Sequence, residues 1–177
     1  MTRWLLLIAG ATLAGCGATR DLFARETPIE VREVGRSLYC NTPGETVHVT
    51  LLADAQAVAD WQAARGIVLA GGESLSQAPH AVVEMGARPT GGYGIAVARG
   101  AALRGEVVVL AATFVSPPPG SIRTQALSSP CVLVQLPRGR YTEVEVRDPS
   151  GELRARGGRP QPGAPVDEPV PSAVPAS

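Results

Sequence analysis

The chain reads as a mainly β (α+β) protein: an antiparallel, β-sandwich-like domain with one short helix packed on it. Three observations predict this. Short runs that alternate apolar with polar residues, or are rich in β-branched side chains, recur between turn residues. Only one stretch, around residues 54–65, combines a helix cap with apolar residues three apart. After Gly71-Gly72 the pattern is almost wholly that of strands.

Taken in order, Glu30-Val31-Arg32-Glu33-Val34-Gly35 is a candidate first strand, and Thr46 to Leu52 alternates more clearly. His48 on that second run belongs at or near a sheet edge, without chemistry. Asp54 suits the cap of a helix from Ala55 to about Arg65. Val58 and Trp61 then share a face that docks it on the sheet, with Trp61 as a core anchor. Ala81 to Met85 is a strand that leads into a Gly- and Pro-rich corner, and Tyr93 to Ala98 returns from it as the second arm of a hairpin. Glu106 to Val115 is a continuous apolar run, as expected of a central strand buried on both faces. Three prolines in Ser116 to Gly120 end it, because proline cannot feed a ladder. Cys131 to Leu136 and Tyr141 to Val146 are the last two strands. The second alternates apolar with acidic residues, so one of its faces should be wet. Asp148-Pro149-Ser150-Gly151 closes the domain as a turn.

The two ends differ from this body. Residues 16–28 are polar and patternless and read as a tether, and the domain proper is expected over 29–156. From Gly157 to Ser177 the chain is mostly Gly, Pro, Ala and Ser, a composition that forbids a helix and favours an extended, solvated tail. The formal net charge is zero, with no basic surplus to neutralise phosphates, which disfavours nucleic-acid binding as a function class. All 16 basic residues are arginine, which codon bias in a GC-rich genome explains.

Residues 1–15 carry Arg3, the apolar run Trp4 to Ala9, and small residues before Cys16. This order makes a secretory signal, too short to span a bilayer, which needs roughly 20 apolar residues. It is similar to the lipobox of bacterial lipoproteins. That resemblance implies lipidation of Cys16, removal of 1–15, and attachment to a membrane by fatty acyl chains. Gly17 follows the cysteine, where aspartate would imply retention at the inner membrane. The resemblance therefore implies the periplasmic face of the outer membrane.

Cys40 and Cys131 remain as an even pair. An oxidising compartment permits their disulfide, and the alternative is two buried thiols that never meet. His48 and His80 stand alone with no ligand spacing around them, so neither a metal nor a cofactor is expected.

The segment most in need of a function is Gly86-Ala87-Arg88-Pro89-Thr90-Gly91-Gly92-Tyr93-Gly94. Gly86 and Gly91 have the spacing of a phosphate-binding loop, but Gly92 and Tyr93 stand where Lys and Ser or Thr are required. The string Gly86, Pro89, Thr90, Gly91, Gly92, Tyr93 after a hydrophobic strand resembles the C-terminal domain of the protease-complex subunit PrcB. Pro117, Pro119, Gly120, Gln125, Pro130 and Pro137 match its later positions in order, and Cys131 is a departure. The resemblance covers roughly residues 79–140. It implies an accessory module that assembles with a secreted or membrane-associated protease. Arg88, Pro89, Thr90, Gly91, Gly92 and Tyr93 are its candidate contact surface, or the corner that shapes one.

Two other readings remain open. Arg88 through Tyr93 is similar to the loop of chagasin-like inhibitors of cysteine proteases, with Arg88 for asparagine and Gly91 for a threonine. A purely structural, cell-wall-associated lipoprotein is the third. An enzyme is not expected. Gly72-Glu73-Ser74-Leu75-Ser76 lacks the last glycine of a nucleophile elbow. Glu143 and Glu145 share one face of a strand about 7 Å apart, as a solvated pair would.

Overall fold

The computed structural model describes residues 26–71 and 75–160. The signal sequence, Cys16, most of the tether, Ser74 and residues 161–177 of the tail lie outside the described residues.

Among them the chain forms nine strands and one helix. These are β1 (Glu26–Glu30), β2 (Arg32–Ser37), β3 (His48–Leu52), α1 (Ala55–Arg65), β4 (His80–Glu84), β5 (Gly94–Arg104), β6 (Val107–Val115), β7 (Cys131–Gln135), β8 (Glu143–Arg147) and β9 (Leu153–Gly158). One sheet has the order β1-β5-β6-β8-β9 and the other β2-β7-β4-β3. Every pairing is antiparallel except β6 with β8, which is parallel. The expected mainly β, sandwich-like domain with one short helix is what forms.

The main core lies between the sheets. Val49, Leu51, Ala81, Val83, Val132 and Val134 face Ile95, Val108, Leu110, Ala112, Val144 and Val146. The alternate residues of the four-stranded sheet face α1 instead. There Leu52, Val82, Leu133 and the Cys40–Cys131 disulfide pack with Val58 and Trp61. That second layer explains why β4 is buried along its whole length and β7 nearly so. The disulfide links residues 91 apart in sequence; closing so long a loop stabilises the fold by about 4–5 kcal/mol on the chain-entropy model.

The helix is held as its sequence predicts. Asp54 Oδ1 accepts the Ala57 N–H at 2.9 Å, and Gly66 ends the helix in the left-handed region. Gln62, buried in its last turn, accepts the N–H groups of Leu69 and Ala70 and so ties down the loop that follows. His48 is exposed on β3, an edge strand of its sheet.

Several expectations are corrected. Residues 30–35 are not one strand. Val31 is buried and separates β1 in one sheet from β2 in the other, its N–H held by the Arg99 carbonyl. β5 runs on to Arg104, with an irregularity between Val97 and Ala101. β6 is buried on one face only: Val108, Leu110 and Ala112 point inward while Ala111, Thr113 and Val115 are exposed. Among the described residues no layer covers its outer face, so the apolar run does not mark a doubly buried strand. Glu145 on β8 is buried rather than wet, because Arg147 and Arg156 close over it. The turn at Asp148–Gly151 does not end the domain but feeds β9. Strands therefore extend before residue 29 and beyond residue 156. Gly157 lies so close to β3 that a Cβ there would overlap the Val49 carbonyl oxygen, which makes glycine a packing requirement at that seam.

Candidate functional site

The segment from Gly86 to Tyr93 is not a hairpin. β4 pairs with β3 and β7, and β5 pairs with β1 and β6, so the motif carries the chain from one sheet to the other. Each turn of this corner is fixed by a neighbour. The Ala87 N–H donates to the Gly44 carbonyl at 2.7 Å. Gly86 has φ +80°, and a Cβ on it would lie 2.7 Å from both the Glu45 carbonyl carbon and the Thr46 oxygen. Neither the conformation nor the space admits another residue.

The outer side of the corner is laced to the long connection between β6 and β7. Arg88 and Ser128 exchange backbone hydrogen bonds of 2.7 and 2.9 Å. Ser128 Oγ donates to the Thr90 carbonyl at 2.9 Å, and the Gly91 N–H donates to the Thr124 carbonyl at 3.1 Å. Gly92, at φ +88°, sits against Pro117. The order of motif residues and later prolines in the sequence thus corresponds to physical contact.

The six candidate residues divide into two roles. Arg88 and Tyr93 are structural: the guanidinium donates to the Met85 carbonyl and stacks 5.8 Å over the Tyr93 ring, which itself packs on the main core. Such a stacking contributes about 0.5–1 kcal/mol at a partly exposed site. Pro89 and Gly92 are exposed, with half-buried Thr90 and Gly91 between them, so this tip is what a partner can touch.

Sequence reasoning missed the rim of this tip. Ser129 bridges to Tyr39, its N–H donates to the Leu38 carbonyl, and the Cys40 N–H donates to the Ser129 carbonyl. Residues 38–40 therefore run beside 128–129, which run beside Arg88. Leu38 and Tyr39 stand 52% and 56% exposed on the first of these segments, and Ile122 and Leu127 103% and 74% exposed on the connection between β6 and β7. They give the segments that adjoin the corner apolar surface open to a partner. No periodicity announces them, since they sit outside regular strands. The disulfide at Cys40 and Cys131 anchors both segments at their base.

The other candidates are not gathered here. His80 is fully buried on the helix-facing side of β4, and its ring nitrogens make no hydrogen bond of good geometry, with the Ala78 backbone the polar group that acts most on the ring. Burial holds its pKa below the ordinary value; the Ala78 backbone and Asp54 oppose that shift, and Arg32 adds to it. Glu143 and Glu145 face Arg156, which reaches both. Burial pushes the Glu145 carboxyl up, but hydrogen bonds from Arg147 and Arg156 outweigh it and leave the pKa below the usual value. Among the described residues no group of three His, Cys, Asp or Glu side chains is placed to hold a metal.

Fold and site together define a small two-sheet β domain organised around a glycine- and proline-rich inter-sheet corner. Residues 81–137, from β4 through the end of β7, match the family model described as PrcB C-terminal. That segment is similar to the PrcB C-terminal family, as the motif resemblance implies. No curated protein and no solved structure matches the chain.

Proposed function

We propose that the protein is a lipid-anchored envelope module, without catalysis of its own, that binds another envelope protein. A protease or a subunit of its complex is the partner class that the PrcB C-terminal match favours. One observation carries this reading: a hydrogen-bonded corner with an exposed tip, Pro89 to Gly92, laced to segments that carry four exposed apolar side chains. A preformed surface of this kind binds with little ordering cost. The lipobox-like order ending at Cys16 supplies the membrane attachment, and the segment after it gives the domain reach.

The test is site-specific photocrosslinking in intact cells, with the crosslinker at Ile122 or Leu127 and a control at Thr113 on the bare face of β6. A protease or its assembly partner captured from the rim positions and absent from the control supports the proposal. Equal capture from all three, or cell-wall fragments alone, refutes it in favour of a structural envelope role.

A further inference from the structure

We propose that the groove beside α1 is a seat for the chain's own proline-rich segment, residues 161–177. This goes beyond the partner-binding reading and is independent of it. The groove encloses about 730 Å³, within the roughly 300–1,000 Å³ range of sites that take a specific ligand. Ala57, Trp61 and Ala64 form one wall along the helix, and Leu52 and Pro43 lie opposite.

Where the chain leaves the described structure decides the occupant. Arg159 and Pro160 also line this groove, and Pro160 is the last described residue. The described chain therefore ends at the groove. The 11-residue helix wall is about 16 Å long, which five or six extended residues cover at about 3.1 Å each. Gln161 to Val166 would supply them, and Pro162 and Pro165 are three apart in sequence, the repeat of a threefold extended helix. Grooves with an aromatic wall recognise such proline-spaced segments, because the segment is ordered before it binds. Asp167 and Glu168 follow, and two of the three charged groove residues, Arg65 and Arg159, are basic. Arg159 has no partner among the described residues. Attachment at Pro160 gives an effective concentration on the order of millimolar, so a weak contact suffices to fill the groove.

Trp61 reports its own cover. The chain has two tryptophans, Trp4 and Trp61, so the full chain carrying Trp4→Phe has Trp61 as its sole tryptophan, excited selectively over the tyrosines. Its emission and acrylamide quenching are compared with those of two further variants: deletion of 161–177, and Pro162→Ser with Pro165→Ser in the full chain. Thermal melts by circular dichroism confirm that all three are folded. We expect both variants to shift emission to the red and lose protection from quenching. A synthetic 161–177 peptide at low millimolar concentration should restore the deleted form saturably. Identical emission and quenching in all three proteins overturns the proposal. So does a change on deletion that the serine variant fails to reproduce, since the prolines would not then be what is seated.

Discussion

The guanidinium of Arg65, in the last turn of α1, lies 2.9 Å from the carboxylate of Glu84, which is 1% exposed at the end of β4. Thr42 Oγ1 donates to the same carboxylate at 2.9 Å, and the Asn41 side chain donates to the Arg65 carbonyl. One buried charge thereby fastens the helix and the β2–β3 connection to the sheet. A buried carboxylate that loses its cation retains its desolvation cost. Arg65→Ala should therefore lower unfolding free energy by about 3 kcal/mol, measured by urea titration. Arg65→Met combined with Glu84→Leu should recover much of that loss. A single-variant loss no larger than that of an exposed surface substitution would show that the pair holds nothing.

Removing the disulfide by Cys131→Ala should cost roughly 2–5 kcal/mol. Because Cys40 and Cys131 also anchor the two segments of the rim, hydrogen exchange at the Cys40 and Ser129 amides should accelerate more than at β6. Uniform acceleration would assign the bond a purely global effect.

Acid should destabilise the domain in two stages. The pKa of His80 is depressed below 6.5 by burial, so the unfolded chain takes up the proton first. Stability is therefore complete above about 6.5 and falls as pH drops from there towards the lowered value. Glu145 is held below 4.5 once Arg147 and Arg156 outweigh its burial. Its contribution is present above 4.5 and lost as pH falls through the lowered value. Melting temperature followed from pH 8 to pH 3 should show both steps, with His80→Leu removing only the upper one. An unchanged upper step in that variant would point to another group.

The corner should separate shape from surface. Gly86→Ala meets both a left-handed backbone and the Glu45–Thr46 chain, and should cost about 2–4 kcal/mol. Pro89→Ala, at the exposed tip, should stay within about 0.5 kcal/mol. Chemical denaturation of the two proteins compares them directly, and equal losses would contradict the division of roles.

Much of this was legible in the sequence, and the misses share a cause. The cap at Asp54, the alternation of Thr46 to Leu52 and the core role of Trp61 are local signals, and they held. β6 misled because a run of Val, Ala and Leu does not say how many layers cover it. The doubly covered strands are β4 and β7, whose sequences include His80, Glu84 and Gln135; polar residues are tolerated there because the helix side offers Glu84 its partners. β9 (LRARGG) was invisible because only Ala155 is well buried and Gly157 contributes by its lack of a side chain. The motif was recognisable as a corner but not as a crossover, since sheet membership depends on partners distant in sequence.

The order in which strands enter the two sheets has a kinetic consequence. From the N-terminus the chain visits the five-stranded sheet at β1, the four-stranded sheet at β2, β3 and β4, returns for β5 and β6, leaves for β7, and comes back for β8 and β9. The parallel β6–β8 ladder closes only after β7 has been laid into the opposite sheet. Neither sheet is a contiguous stretch of chain: the four-stranded sheet has its last strand only at β7 and the five-stranded sheet only at β9. Contacts this distant in sequence are slow to form, and the domain should fold late and all at once, from a chain that is nearly complete.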